Sequence, residues 1–182
     1  HTAVVAVGGD HFTNDIAVGL RTPIPEAEKV KRRVGCALSG MVDEDETIEV
    51  ASVGGRRPRV MARRILSDIL QPRAEELFHL IWDEINKAGY EKSLNSGLVL
   101  TGGGSVLEGM AEIAEQIFDL PIRRGAPTGA GGLADHVGHP AYSTAVGLVR
   151  YAERHRTTAV PVGGGALTRV MGRLRTVFRE FF

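Results

Sequence analysis

Leu98-Val99-Leu100-Thr101-Gly102-Gly103-Gly104 is the stretch whose reading decides the fold. A short apolar run bounded by a turn signal makes a buried strand. The glycines then turn the chain toward a helix whose apolar positions, Leu107, Met110, Ile113, Ile117 and Phe118, recur at helical spacing. Pro121-Ile122-Arg123 follows as another short strand. Strands joined through crossover-length helices define an α/β layered domain. Glycines directly after a strand place a ligand at the strands' carboxyl ends. Without a Cβ the backbone lies open to close approach, and the next helix offers unpaired N–H groups. Taken alone, the same residues are equally a tight strand-to-helix turn.

Toward the N-terminus, Thr2-Ala3-Val4-Val5-Ala6-Val7 is strand-like. A chain that opens in mid-strand, on His1 and without a Met, is expected to be a piece of a longer protein. Gly8-Gly9-Asp10 forms a turn, and Thr13 is placed to cap a helix through Leu20. Pro23 and Pro25 break the chain. A second helix is expected over residues 26–34, ending at Gly35. Asp43-Glu44-Asp45-Glu46 reads as a solvated acidic turn. Thr47-Ile48-Glu49-Val50 alternates like an edge strand, and residues 52–58 form a loop. Residues 60–87 read as helical, with one apolar stripe of Ile65, Leu66, Ile69 and Leu70 and another of Leu77, Leu80, Ile81 and Ile85. Pro72 lies between them and is expected to kink or divide the helix. After the Gly- and Pro-rich residues 125–139, Pro140 fits the first turn of a last helix reaching about Arg154.

Residues 167–182 read LTRVMGRLRTVFREFF. On a helix, Leu167, Val170, Met171, Leu174, Val177, Phe178 and Phe181 fall on one side, while Arg169, Arg173, Arg175 and Arg179 lie away from them. A bulky apolar face opposed by arginines suits a helix lying in a membrane surface. The stretch is too short and too charged to span a bilayer. Amphipathicity alone would also allow a helix docked on the body's own core. The preceding Val162-Gly163-Gly164-Gly165, the terminal Phe181-Phe182 and the purely Arg basic content favour the membrane.

Composition narrows the classes. The 182 residues contain 43% apolar and 24% charged side chains, enough for an ordinary core. Formal charge is zero, from 22 Lys and Arg against 22 Asp and Glu. From Arg150 onward seven arginines oppose two glutamates, a net +5, which leaves −5 on the rest. An acidic body with a basic tail argues against nucleic-acid binding and for anionic lipid. One cysteine, Cys36, excludes a disulfide framework and favours a reducing compartment. No signal peptide or spanning segment is recognisable.

Few residues suggest chemistry by themselves. Glu28 and Lys31 are three apart on one helix face, so together they could hold ribose hydroxyls and flank a base. In isolation they read as a surface ion pair. Asp135, His136 and His139 lack a clear third metal ligand. Ser143 and Thr144 read as helix capping and packing. Cys36 has no activating partner and reads as a small buried apolar residue.

The ordered set carries more. Gly8-Gly9 with Thr13 and Asp15-Ile16-Ala17, then Glu26-Ala27-Glu28-Lys29-Val30-Lys31, Val53-Gly54-Gly55, Leu100-Thr101-Gly102-Gly103-Gly104 and Tyr142-Ser143-Thr144-Ala145-Val146-Gly147-Leu148 closely resemble the bacterial cell-division family FtsA. That family belongs to the actin and heat-shock-chaperone ATPase superfamily, and the resemblance runs over almost the whole chain. It implies half of an actin-like (ribonuclease H-like) α/β ATPase domain, a mixed sheet with flanking helices, followed by a C-terminal amphipathic helix. Residues 1–156 would be the second lobe, truncated at its N-terminus, with 36–97 as a partner-binding subdomain. Residues 157–166 would be a flexible linker and 167–182 the membrane-targeting helix.

The resemblance also implies ATP with Mg as cofactor of the full-length protein. Glu28, Lys31, Gly102, Gly103 and Gly104 would contact adenosine, in a site lacking the superfamily's phosphate-binding turns. No catalytic residue follows, and at most weak ATPase activity. The implied partners are the C-terminal peptide of the tubulin-like FtsZ, further copies in filaments, anionic lipid and later division proteins. Arg59, Arg63, Arg64, Arg73 and Glu76 would form the surface for the peptide. The implied location is the inner face of the cell membrane at the division site. An actin-like ATPase of pilus assembly is the alternative, but it would not need the Arg/Phe tail. A sugar or acetate kinase would need a catalytic carboxylate in a cleft, and none is convincing.

Overall fold

The structure is a computed structural model and describes residues 1–129, 131 and 134–155. It divides into two units, His1–Val146 and Gly147–Phe182. The linker expected over 157–166 and the amphipathic helix expected over 167–182 lie outside the described residues.

Helix α1 spans Gly9–Gly19. It starts where the Gly8 N–H donates to His11 Nδ1 at 3.2 Å, with Asp10 in the first turn to meet the helix's positive end. It therefore begins earlier than expected, and Thr13 is a buried interior residue rather than its cap. Helix α2 spans Ile24–Val34. Pro23 and Pro25 start it, because a first-turn residue needs no N–H. Lys31, Arg32 and Arg33 occupy its last turn, the end that favours cations.

Strands β1 (Thr47–Val50) and β2 (Arg59–Ala62) pair antiparallel, with Thr47 opposite Ala62 and Val50 opposite Arg59. Ile48 and Val50 are buried while Thr47 and Glu49 face water, as the alternation requires. Residues 60–62, expected to open a helix, are instead taken up by the hydrogen-bonding edge of β1. Helix α3 then runs Arg63–Lys87 and passes through Pro72 undivided. Pro72 removes only the bond to the Asp68 carbonyl. Both residues are exposed, so water can serve that carbonyl. Leu66 and Leu70 before it, with Ala74 and Phe78 after it, bury the same helix face and hold it straight.

Strands β3 (Leu98–Leu100) and β4 (Ile122–Arg124) pair in parallel across helix α4 (Met110–Phe118). The described strands thus form one antiparallel and one parallel pair. Residues 2–7 form no strand, and Val4 is 94% exposed. A strand needs a ladder partner, and neither described pair extends to this segment. One core joins the elements of the first unit. Phe12 and Ile16 of α1, Val30 of α2, Val50 of β1, Leu66 and Phe78 of α3, and Ile113 and Phe118 of α4 all belong to it. Phe78 meets Phe118 edge-to-face with centroids 5.6 Å apart, and Trp82 packs on the same ring at 5.6 Å. Helix α5 is the short Ala134–Val137, and helix α6 is Ser143–Arg154, which buries no residue. Among the described residues no helix is long and apolar enough to cross a membrane.

Candidate functional site

A cavity of about 850 Å³ opens in the first unit between the α1–α2 pair and the end of β3. Gly9, Glu28, Lys31 and Arg32 line it from one side, and Thr101, Gly103, Gly104 and Ser105 from the other. Phe12, Phe78, Ile81 and Met110 supply apolar lining. Four of the five expected adenosine contacts therefore share one cavity. Gly102 is absent from the lining and shapes the turn instead.

The turn departs from expectation in one respect. Gly102 has φ 91°, a left-handed value that favours glycine. Its N–H donates to the Pro140 carbonyl at 3.2 Å, and the buried Ser105 hydroxyl donates to its carbonyl at 2.8 Å. The chain then makes one 3₁₀ turn, Gly103–Val106, and α4 starts only at Met110. The N–H groups facing the cavity at this point therefore belong to a short turn rather than to the α4 terminus. Thr101 secures the same region, since its hydroxyl donates to the Gly125 carbonyl at 2.8 Å and lies 2.6 Å from the Ser143 hydroxyl.

On the α2 side, the Lys31 ammonium lies 2.6 Å from Glu28 Oε2. It also donates to Thr13 Oγ1 at 2.8 Å and to the Gly9 carbonyl at 2.9 Å. The Thr13 hydroxyl donates to Glu28 Oε2 at 2.6 Å. Glu28 Oε1 faces Arg32 Nε at 3.3 Å. Partial burial pushes the Glu28 carboxyl up, but hydrogen bonds from Lys31 and Thr13, with the charges of Lys31 and Arg32, hold it below the ordinary range. Glu28 is an anionic acceptor at neutral pH. Reading the sequence missed Thr13, Thr101 and Ser105. Ser105 had a signal, a hydroxyl three residues beyond a turn carbonyl.

The expected partner surface is distributed differently from the expectation. Arg63 is 14% exposed and donates to Glu46 at 2.7 Å, to the Val34 carbonyl at 2.8 Å, and to Glu108. Arg73 clamps Asp15 with two bonds, at 2.6 and 3.0 Å, and also pairs with Glu76. Arg59 donates to the Leu20 carbonyl. Arg64, by contrast, is half exposed and sits 3.6 Å from Glu44. Most of this set is engaged within the fold. Among the described residues no cluster of three His, Cys, Asp or Glu could hold a metal ion.

A strand-end glycine turn facing a Glu-Lys helix across a cavity, on this fold, defines the actin-like class. Two solved actin-like structures agree: MreB5 of Spiroplasma citri bound to ADP (TM-score 0.62, 17% identity, 87% of this chain and 48% of that one) and MreB 5 of the same organism bound to AMPPNP (TM-score 0.61, 16% identity, 84% and 46%). At such identity the likeness concerns the fold alone. The sequence profile described as cell division protein FtsA matches residues 1–147, and the chain belongs to that family. It is 49% identical over 151 residues to the FtsA of Pseudomonas aeruginosa, covering 83% of this chain and 36% of that protein. It is 42% identical over 160 residues to the Escherichia coli K12 protein, covering 84% and 38%. The Rhizobium meliloti protein is 36% identical over 178 residues, covering 96% and 40%. The chain thus spans well under half the length of these curated relatives.

Proposed function

We propose that this chain is the nucleotide-side lobe and membrane foot of an actin-like cell-division adaptor. In this reading residues 1–156 form the lobe, 157–166 the linker and 167–182 the anchor, with 36–97 presenting the partner surface. The protein would tether the FtsZ ring to the inner face of the cell membrane and help assemble the division machinery through ATP-dependent polymerisation. The observation that carries the nucleotide part is the meeting of Glu28 and Lys31 with Gly103 and Gly104 on one cavity, although some seventy residues of chain separate them. The solved relatives in fold that hold ADP and AMPPNP support it. A carboxylate acceptor facing bare backbone suits a nucleoside.

The foot is argued from sequence. Seven apolar groups at an interface would gain on the order of 5–10 kcal/mol before the cost of ordering the helix. Each arginine near an anionic surface would add about 1 kcal/mol. Binding by one molecule is then weak and reversible, and filament formation multiplies it. The Rhizobium meliloti alignment reaches 96% of the chain, so it cannot omit the whole of 167–182. For the FtsZ peptide, Arg64 and Arg59 are better placed than Arg63 and Arg73, whose charges are met by carboxylates.

The test is co-sedimentation of the full-length protein, separately with anionic vesicles and with a peptide matching the FtsZ C-terminus. Leu174→Glu and Phe178→Glu should each abolish vesicle binding and leave peptide binding intact. If both variants sediment like the parent, residues 167–182 are not the anchor. If the peptide does not bind the parent protein, the adaptor role fails.

A further inference from the structure

We infer that Thr13 is a positioning residue for the cavity's carboxylate and sets the discrimination for ribose over deoxyribose. The inference rests on the nucleotide reading above and goes beyond it, since Thr13 does not line the cavity. Its side chain is almost fully buried on α1. Its hydroxyl proton goes to Glu28 Oε2 at 2.6 Å, and its oxygen accepts from Lys31 at 2.8 Å.

Counting donors explains the role. An ammonium has three N–H groups. Those of Lys31 go to Glu28, Thr13 and the Gly9 carbonyl, so no donor is left over for a ligand. Lys31 is also 13% exposed, the less accessible member of the pair. Within the carboxylate, Oε2 takes both Lys31 and Thr13, whereas Oε1 has only the longer 3.3 Å contact to the exposed Arg32. Oε1 is thereby the oxygen with acceptor capacity to spare. A fixed carboxylate oxygen that accepts from a ligand fits a sugar hydroxyl, which donates, better than a phosphate, which would be repelled. Without the Thr13 hydroxyl, Glu28 would keep its lysine but lose the bond that fixes the carboxylate's rotation, and two side-chain torsions would loosen. Precise placement of such a group is what converts proximity into selectivity.

The experiment compares ATP with 2′-deoxyATP and 3′-deoxyATP by equilibrium binding to the full-length protein. The variants are Thr13→Val, Thr13→Ala and Thr13→Ser. A lost charge-assisted hydrogen bond corresponds to about tenfold or more in affinity. The parent is expected to prefer ATP over at least one deoxy form by about tenfold. Thr13→Val or Thr13→Ala, whichever retains the parental fold by circular dichroism, should weaken ATP about tenfold, leave that deoxy form within about twofold, and so erase the preference. Thr13→Ser should restore it. Parental behaviour in the hydroxyl-free variants, equal weakening of every nucleotide, or failure of serine to restore the preference would each overturn the role of Thr13 and leave the nucleotide reading in place. A parent protein that binds no nucleotide at all would overturn both.

Discussion

Arg63 sits where three segments meet: the end of α2 at Val34, the acidic turn at Glu46, and Glu108 before α4. Replacing it with methionine would keep the stem's packing and leave a carbonyl and two carboxylates without their donor. Loss of a largely buried, multiply bonded cation of this kind costs about 2–3 kcal/mol. The pH dependence gives a sharper readout. The Arg63 hydrogen bond and charge hold the Glu46 carboxyl below its ordinary value of 4.5. A depressed carboxyl contributes its stability fully above that ordinary value and loses it as pH falls through the lowered one. Thermal melts should therefore show Arg63→Met well below the parent at pH 6, with the gap narrowing as the pH drops below about 4. A gap that stays constant down to pH 3 would contradict the ion-pair account. The arginine's type and position were legible in the sequence, but its occupation was not. The partners of Arg63 lie 17 and 45 residues away and that of Arg73 lies 58 away, so a cation that reads as docking surface turns out to be engaged within the fold.

At the scale of elements, local signals were legible and pairing was not. The alternation of Thr47 to Val50 identified β1 to the residue, and Gly35 and Lys87 ended their helices where expected. β2 was read as helix because nothing in Arg59-Val60-Met61-Ala62 announces the neighbouring β1 edge. Residues 2–7 failed in the opposite direction: their propensity is strand-like, but the described residues offer no ladder. The glycine turn was found, yet its single 3₁₀ turn before α4 depends on Gly102 being tied to Pro140, a contact across 38 residues. Gly97 gives a prediction at this scale. It has φ 80°, and a Cβ there would lie 2.1 Å from the Pro121 carbonyl oxygen, the same oxygen that accepts from the Leu98 N–H at 2.9 Å. Gly97→Ala therefore strains the backbone and pushes β3 from the start of β4. The expected cost is at least about 2 kcal/mol, or about 4–8 °C in Tm for a domain of this size. A Tm within 1 °C of the parent would show that the two strands do not approach as closely as described.

For the whole molecule the question is how much of a nucleotide site one lobe can supply. The cavity of about 850 Å³ is near the upper end for a small-molecule pocket, and much of its lining is apolar side chain from α3 and α4. Its best-placed cation, Lys31, is held by three protein acceptors, and the more accessible Arg32 leans on Glu28. Neither is arranged as a clamp for a triphosphate, which calls for several converging N–H groups and a cation or metal. Curated relatives are more than twice as long, and the proposal assigns phosphate binding to that additional chain. The 182-residue chain alone should accordingly hold the nucleoside part only. Micromolar affinity already requires about 8 kcal/mol of net binding free energy, more than one carboxylate and a glycine turn supply once ordering costs are met. Isothermal titration of the isolated chain with ATP should give weak or undetectable heat, and adenosine should bind about as well as ATP. Sub-micromolar ATP affinity, or a large preference for ATP over adenosine, would mean that this lobe carries a phosphate site of its own, and the division of labour between lobes would have to be redrawn.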